Sequence, residues 1–367
     1  MNAHGREHLD GTFATSLPRG QRAMSNEGFA EEHVASGRGL AIVVNANAKR
    51  GGRRIAVQLA QRLSGAKVRL TKTPQEIERW LRSLDHPKCI LAAGGDGSAV
   101  ALVNALDHVI PKTDPIPVLG LIPLGTGNGW ARSLGAPKLD RCLRELAAHP
   151  YAEPLPTRSY GLFECDGTLA HFAGSGWDAM ILDDYKTQLD ESKGPARLFT
   201  KSVYGYVTAC LVRTTPKVVL YGNPHLMIEN LGDEVYTVSG DGKLLKVHEA
   251  TRGSIIYDGP SGVSSVGTCP QFGYGFRAFP FAERLPGYMN VRVYDRNALA
   301  AVASIPRLWK GAHPLRGMHD WFATHVRMTY SRPMPLQIGG DAHGLRRTVE
   351  YKISPRRLEM LDWRRMV

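Results

Sequence analysis

Two glycine-rich segments hold the residues best suited to chemistry, Gly94-Gly95-Asp96-Gly97-Ser98 and Pro123-Leu124-Gly125-Thr126-Gly127-Asn128. Glycine tolerates positive φ and lets a backbone approach a ligand that a Cβ would obstruct. A helix starting directly after such a loop aims its unpaired N–H groups at the same spot, which favours an anion. Asp96 conflicts with an anion unless a cation comes with it. Mg²⁺ carried on ATP phosphates resolves the conflict, with Asp96 acting on the ion directly or through water. The same residues also suit a plain strand-to-helix turn in which Asp96 or Ser98 is a cap. In the second segment Gly125, Thr126 and Gly127 repeat the pattern, and Asn128 adds both a donor and an acceptor. Two such loops at one sheet edge would converge on a single ligand.

The surrounding pattern supplies that sheet. Leu40-Ala41-Ile42-Val43-Val44-Asn45 reads as a buried strand, followed by a helix carrying Ile55, Leu59 and Leu63 and a strand over 67–71. Pro74 opens a second helix, residues 89–93 form a third strand, and a helix follows Gly97. Residues 118–122 form the fourth strand, and a helix with Trp130, Ala131 and Leu134 follows the second loop. Strands alternating with helices predict a parallel sheet covered on both faces, with ligands outside the carboxyl ends of its strands. Both glycine loops fall at such ends. After about residue 155 the pattern changes to short alternating segments (169–173, 217–221, 234–238, 253–257, 288–294 and 326–330), the signature of an antiparallel β domain. One packed helix is expected near 195–213.

Lys and Arg number 46 against 34 Asp and Glu, a net charge of +12. A basic body suits an anionic partner, whether nucleotide phosphate, nucleic acid or an anionic membrane surface. Part of the excess lies near the C-terminus, in Arg346, Arg347, Lys352, Arg356, Arg357, Arg364 and Arg365. The five cysteines show no metal-ligand spacing and read as buried free thiols in a reducing compartment. No apolar run approaches the roughly 20 residues of a membrane span, and no signal-peptide pattern is present. Residues 1–37 read as a disordered leader, with Met24 an alternative start.

Gly-Gly-Asp-Gly-Ser at 94–98 resembles the signature shared by diacylglycerol kinases, sphingosine kinases, NAD kinases and phosphofructokinases. Pro-Leu-Gly-Thr-Gly-Asn at 123–128 resembles the diacylglycerol and sphingosine kinase branch. Val43-Val44-Asn45-Ala46-Asn47 is similar to that branch's first strand and loop, and Val68-Arg69-Leu70-Thr71 to its second strand. Gly174-Ser175-Gly176-Trp177-Asp178-Ala179 is similar to the segment that opens its second domain. The resemblance runs from about residue 40 to the C-terminus. It implies an α/β N-terminal domain with a parallel sheet (38–152, with 345–367 returning to it) and a β-rich C-terminal domain (153–344) supplying the lipid side. ATP and Mg²⁺ are the implied cofactors. The implied nucleotide site comprises Asn45, Thr71, Gly94, Gly95, Asp96, Gly97, Ser98, Gly125, Thr126 and Asn128.

The family's catalytic base is the Glu of an Asp-Gly-Glu segment. The matching stretch here is Gly339-Gly340-Asp341, so Asp341 takes the base position and Gly339 replaces the companion acid. Asp341 also reads as an ordinary turn residue. Bacterial members often bind a structural Mg²⁺ beside an Asn-Asp-Gly segment. Leu285-Pro286-Gly287-Tyr288 stands there, so that ion is not expected. Lys49, Arg50, Arg53 and Arg54 could neutralise phosphates or form a solvated basic face. Asp178 reads as ordering its loop, His171 and His343 as loop or surface residues, and the aromatic run 273–281 as a lipid-facing lip or a core strand.

The implied function is an ATP-dependent lipid kinase, a transferase of phospholipid metabolism. It is cytoplasmic, with peripheral contact at the inner face of the membrane, a homodimer admitted and no nucleic-acid partner. The competing readings are a soluble-substrate kinase of the NAD kinase or phosphofructokinase type, and a nucleotide-binding protein without turnover.

Overall fold

The computed structural model describes residues 39–366, apart from 49–50, 126, 150–152, 193–199, 201–204, 206–207 and 274. The segment read as a leader lies outside the described residues. The N-terminal part alternates β1 (Leu40–Asn45), α1 (Gly52–Arg62), β2 (Lys67–Thr71), α2 (Pro74–Leu81), β3 (Cys89–Gly94), α3 (Asp96–Val109) and β4 (Val118–Pro123). α4 (Gly129–Ser133), α5 (Leu139–Ala148) and β5 (Thr157–Tyr160) follow. Every residue of β3 is buried, as a central parallel strand requires. α1 sets Ile55, Ala56 and Leu59 against the sheet at helical spacing. Full burial of one such Leu or Ile contributes about 1.5–3 kcal/mol.

The chain then builds β6 (Phe163–Cys165), β7 (Thr168–Ala170), β8 (Phe172–Gly176), α6 (Trp177–Glu191) and α7 (Thr215–Tyr221), with a π-helical turn, Ala209–Thr214, before α7. β9 (His225–Asn230), β10 (Tyr236–Val238), β11 (Leu244–Lys246), β12 (Ile255–Pro260), β13 (Val263–Gly267) and β14 (Met289–Tyr294) come next. α8 (Ala298–Trp309), β15 (Met318–Ala323), β16 (His325–Ile338), β17 (Asp341–Ile353) and β18 (Leu358–Leu361) complete it.

Two sheets result. The six-stranded sheet has the order β2-β1-β3-β4-β18-β5; β1 to β4 pair in parallel, and β18 joins β4 in parallel and β5 antiparallel. The second sheet has 12 strands, and all its pairings are antiparallel. Of the segment 345–367, the residues through Ile353 therefore belong to the second sheet, and β18 to the first. The N-terminal part is α/β with a mostly parallel sheet, and the C-terminal part is β-rich.

Alternation along the second sheet sorts its two faces. Met289, Val291 and Val293 of β14 enter one core with Val266, Ala173 and Ile338. Their neighbours point to the opposite face, where Tyr294 packs with Trp177 of α6 and Ala298 of α8.

Several expected elements differ. Residues 217–221, read as a strand, lie in α7, because Pro216 falls in the first helical turn, where its missing N–H costs nothing. The expected strand 169–173 is divided between β7 and β8 at His171. Most of the helix expected at 195–213 lies outside the described residues. α6 and α8 have no counterpart in the sequence reading.

Part of the basic C-terminus is engaged internally. Arg356 donates to Asp107 and to the carbonyls of Ile110, Pro111 and Asp114 beyond the end of α3. Arg346 pairs with Asp166, and Arg364 donates to the Ser133 carbonyl. Cations suit these carbonyl-rich helix ends. Cys89, Cys142, Cys165 and Cys269 are buried free thiols, and burial pushes the Cys89 thiol up to about 12.

Candidate active site

The two glycine loops meet at the carboxyl ends of β3 and β4. The Gly94 carbonyl accepts from the amides of Leu124 (2.8 Å) and Gly125 (3.1 Å). A Cβ on Gly125 would stand 2.5 Å from the Gly95 Cα, and one on Gly94 would stand 2.3 Å from Ser98 Oγ. These glycines serve close approach rather than unusual φ. Among the described residues of the two loops, the left-handed one is Asn128, at φ 50°.

Asp96 joins the loops. Its two oxygens accept from the Gly129 amide (2.9 Å) and the Trp130 amide (3.0 Å) at the start of α4. Burial pushes this carboxyl up, while the two amides and the Arg132 charge pull it back without overcoming burial. Asp96 therefore acts as a clamp between loops. Among the described residues no three His, Cys, Asp or Glu side chains converge on a metal position. Each Asp96 oxygen accepts one amide and keeps a second lone pair, which leaves it able to meet a cation arriving on a ligand directly or through water.

Asn45, last in β1, donates from Nδ2 to Ser98 Oγ at 2.8 Å, tying β1 to the first turn of α3. Thr71 ends β2 opposite Asn45 and is buried. Asn128 closes its own loop: Oδ1 accepts from the Gly125 amide at 3.0 Å and Nδ2 donates to the Gly125 carbonyl at 2.7 Å. Thr126, Lys49 and Arg50 lie outside the described residues, as does the Asp178 side chain; Arg53 and Arg54 are exposed.

Asp341 arrives from the second sheet. Ile338 and Asp341 are paired across a two-residue turn in which Gly339 and Gly340 both have positive φ, 59° and 89°, as a tight hairpin of this kind requires. The Gly339 amide donates to the Phe172 carbonyl, and the Gly340 amide to Gln337 Oε1. This anchored turn places Asp341 Oδ2 3.3 Å from where a Cβ on Gly97 would stand, at the amino end of α3. A Cβ on Gly339 would meet Val100 at 2.9 Å. An acid there would require the Val100 side chain to give way.

Of the cleft's wall, the sequence reading named only the aromatic run 273–281. Gly95, Asp96, Gly97, Gly127, Gly339 and Gly340 share a cleft of about 250 Å³ with Leu182 and Tyr185 of α6, Phe272, Phe276 and Trp309. Those last three also line a second cavity of about 190 Å³, whose remaining wall includes Trp177, Ile181, Val302, Ile305 and Leu308. Phe276 and Trp309 stack at 5.4 Å between the two spaces. The aromatic run 273–281 and the helical spacing of Ala298, Ala301, Val302, Ile305 and Leu308 were the available signals. His171, expected at a surface or in a loop, is instead fully buried and stacked on Trp130 at 4.4 Å. Burial lowers its pKa to about 3 and keeps it neutral.

Comparison with known proteins agrees with this geometry. Residues 39–151 match the family described as diacylglycerol kinase catalytic domain. The chain is 46% identical over 63 residues to a diacylglycerol kinase of Bacillus subtilis (strain 168), covering 17% of this chain and 18% of the relative. It is 48% identical over 46 residues to an eye-specific diacylglycerol kinase of Drosophila melanogaster, covering 12% of this chain and 3% of the relative. The matched stretches thus span less than a third of these curated relatives. A crystal structure of a diacylglycerol kinase from Bacillus anthracis str. Sterne shares the fold, with a TM-score of 0.56 at 15% identity over 89% of this chain and 98% of that one. Residues 39–151 of this chain therefore match a diacylglycerol kinase catalytic domain.

Proposed function

We propose that this protein is a lipid kinase that transfers the γ-phosphoryl group of ATP to a lipid hydroxyl. The observation that carries the reading is the junction of the glycine-loop cleft, across Phe272, Phe276 and Trp309, with a cavity walled by aliphatic and aromatic side chains. A phosphate-binding loop beside an apolar cavity suits an acceptor with a polar end and a hydrocarbon body.

In this reading the amides at the start of α3 receive the phosphates. Asn45, Thr71, Gly94, Gly95, Ser98, Gly125, Thr126 and Asn128 shape the nucleotide site, with Asp96 holding its two loops at a fixed spacing. Asp341 takes the proton of the lipid hydroxyl. The oxygen then attacks the γ-phosphorus in line, the bond to the β-phosphate oxygen breaks, and ADP leaves. Mg²⁺ carried by the ATP phosphates would supply charge neutralisation. Positioning and backbone N–H donors do the rest.

No helix among the described residues is long and apolar enough to cross a membrane. α7 and α8 expose Val219, Leu220, Tyr221 and Leu299, and α8 also lines the cavity. This combination suits peripheral contact with a lipid phase.

The test is labelled-ATP turnover against a panel of diacylglycerol, sphingoid and ceramide acceptors, run beside Asp341→Asn. The expected result is transfer to a lipid and a loss of about 10²–10⁴-fold in the variant. Activity on NAD or fructose 6-phosphate with none on lipid would refute the lipid reading. Undiminished turnover in Asp341→Asn would refute the role of Asp341.

A further inference from the structure

The helix-covered face of the second sheet is not uniformly apolar. Strand register aligns one polar row across it: Gln337 of β16 pairs with Gly174 of β8, Gly174 with Ser265 of β13, Ser265 with Arg292 of β14, and Arg292 with Asp320 of β15. Directly paired residues present their side chains on one face. The rows on either side, Phe172-Gly267-Asn290-Phe322 and Gly176-Val263-Tyr294-Met318, are mainly apolar. Gln337 lines the glycine-loop cleft, whereas Ser265 and Arg292 line the apolar cavity. The row therefore crosses the floor beneath both spaces, three strand intervals from the catalytic turn to the guanidinium. Gly174, buried and without a side chain, stands between its two halves.

Arg292 is an unusual residue for such a wall. It is buried and held by Asp320, with Nε 2.7 Å from Oδ1 and Nη2 3.2 Å from Oδ2. Its Nη1 donates to the Ala278 carbonyl. Asn290 Nδ2 in turn donates to Asp320 Oδ1 at 3.1 Å. A guanidinium offers five N–H donors in a fixed fork, so these contacts hold its plane without exhausting its donors. An ion pair buried only for stability gains little over apolar side chains of the same volume. In an apolar cavity it fixes the orientation of a ligand.

We infer that Arg292, oriented by Asp320, with Ser265 beside it, reads a neutral carbonyl oxygen on the lipid acceptor, so that the preferred substrates are ester or amide lipids rather than plain alkyl or ether lipids. This rests on the lipid reading above. The charge of the Arg292–Asp320 pair is already balanced, so a carboxylate would bring an uncompensated negative charge into the cavity, whereas a carbonyl brings none. The hydrocarbon chains lie against α6 and α8, and the carbonyl-bearing part of the backbone lies along the polar row.

Trp177 and Trp309 line the cavity, so intrinsic fluorescence reports occupancy whether or not phosphate is transferred. The test is titration of the full chain with 1,2-dioctanoylglycerol and with its dialkyl ether analogue, 1,2-dioctylglycerol. The ester is expected to bind about tenfold tighter or more, as loss of a hydrogen bond to a charged donor implies. Replacing the pair together, Arg292→Met with Asp320→Leu, is expected to erase that preference while the ether binds as before. Ser265→Ala, which leaves the ion pair in place, is expected to reduce the preference in part.

Equal affinity of the unaltered protein for ester and ether overturns the inference, without reference to any variant's folding. Transfer of phosphate to both lipids at that equal affinity would leave the kinase reading standing. A clear ester preference with no phosphoryl transfer would support the binding role of Arg292 and overturn the kinase reading instead.

Discussion

Replacing Asp96 separates a structural clamp from a residue that acts only on a bound ligand. Its oxygens accept from the Gly129 and Trp130 amides at 2.9 and 3.0 Å in a buried setting. Hydrogen bonds to a charged group contribute about 1.5–3 kcal/mol each, so Asp96→Ala, which removes two acceptors and leaves two buried donors, should cost about 3–5 kcal/mol. Asp96→Asn keeps the shape and one acceptor but turns an NH₂ group toward the other amide, and should cost about 2 kcal/mol. The assay is urea unfolding of the nucleotide-free protein followed by tryptophan fluorescence. The midpoint should fall in the order wild type, Asn, Ala with an unchanged slope, and ATP affinity should fall with it. If both variants unfold with the wild-type midpoint and lose only turnover, Asp96 is not a clamp and its two backbone contacts do not hold the loops together.

Two other outcomes concern buried groups near the same loops. His171 has a pKa lowered from 6.5 to about 3 by burial, so the unfolded chain takes up its proton first as pH falls. Stability from this group is therefore complete above about pH 6.5 and is lost toward pH 3 at about 1.4 kcal/mol per pH unit. His171→Phe, which can keep the stack on Trp130, should flatten that part of the acid limb of a stability–pH curve; an identical limb in wild type and variant would refute the assignment. Gly125→Ala places a Cβ 2.5 Å from the Gly95 Cα, so the loops must part, and binding of a fluorescent ATP analogue should weaken about tenfold or more while the fold survives. Gly161→Ala, with open space around its Cβ, is the control; equal binding in both variants would count against the loop contact.

The sequence by itself determined the alternation of strands and helices through β4, the position of both glycine loops at strand ends, and the antiparallel character of the C-terminal part. These are local properties. Strand and helix periodicities are written in side-chain order, and a glycine pair marks a tight approach wherever it falls. It also brought Asp341 into consideration, through its place in a segment rather than through any contact.

Tertiary structure decided what those residues do. Asp96 accepts the amides of residues 33 and 34 positions away, one on each oxygen. Asn128 turns inward on its own loop, and Arg356 and Arg364 donate to backbone carbonyls. The cavity wall joins α6, α8 and the 272–279 segment, which are distant in the chain. The polar row from Gln337 to Asp320 exists only through the register of β16, β8, β13, β14 and β15, and a one-residue slip in any of them would turn its members to the opposite face. Long-range pairing depends on the whole sheet at once, and no short window of the sequence contains it.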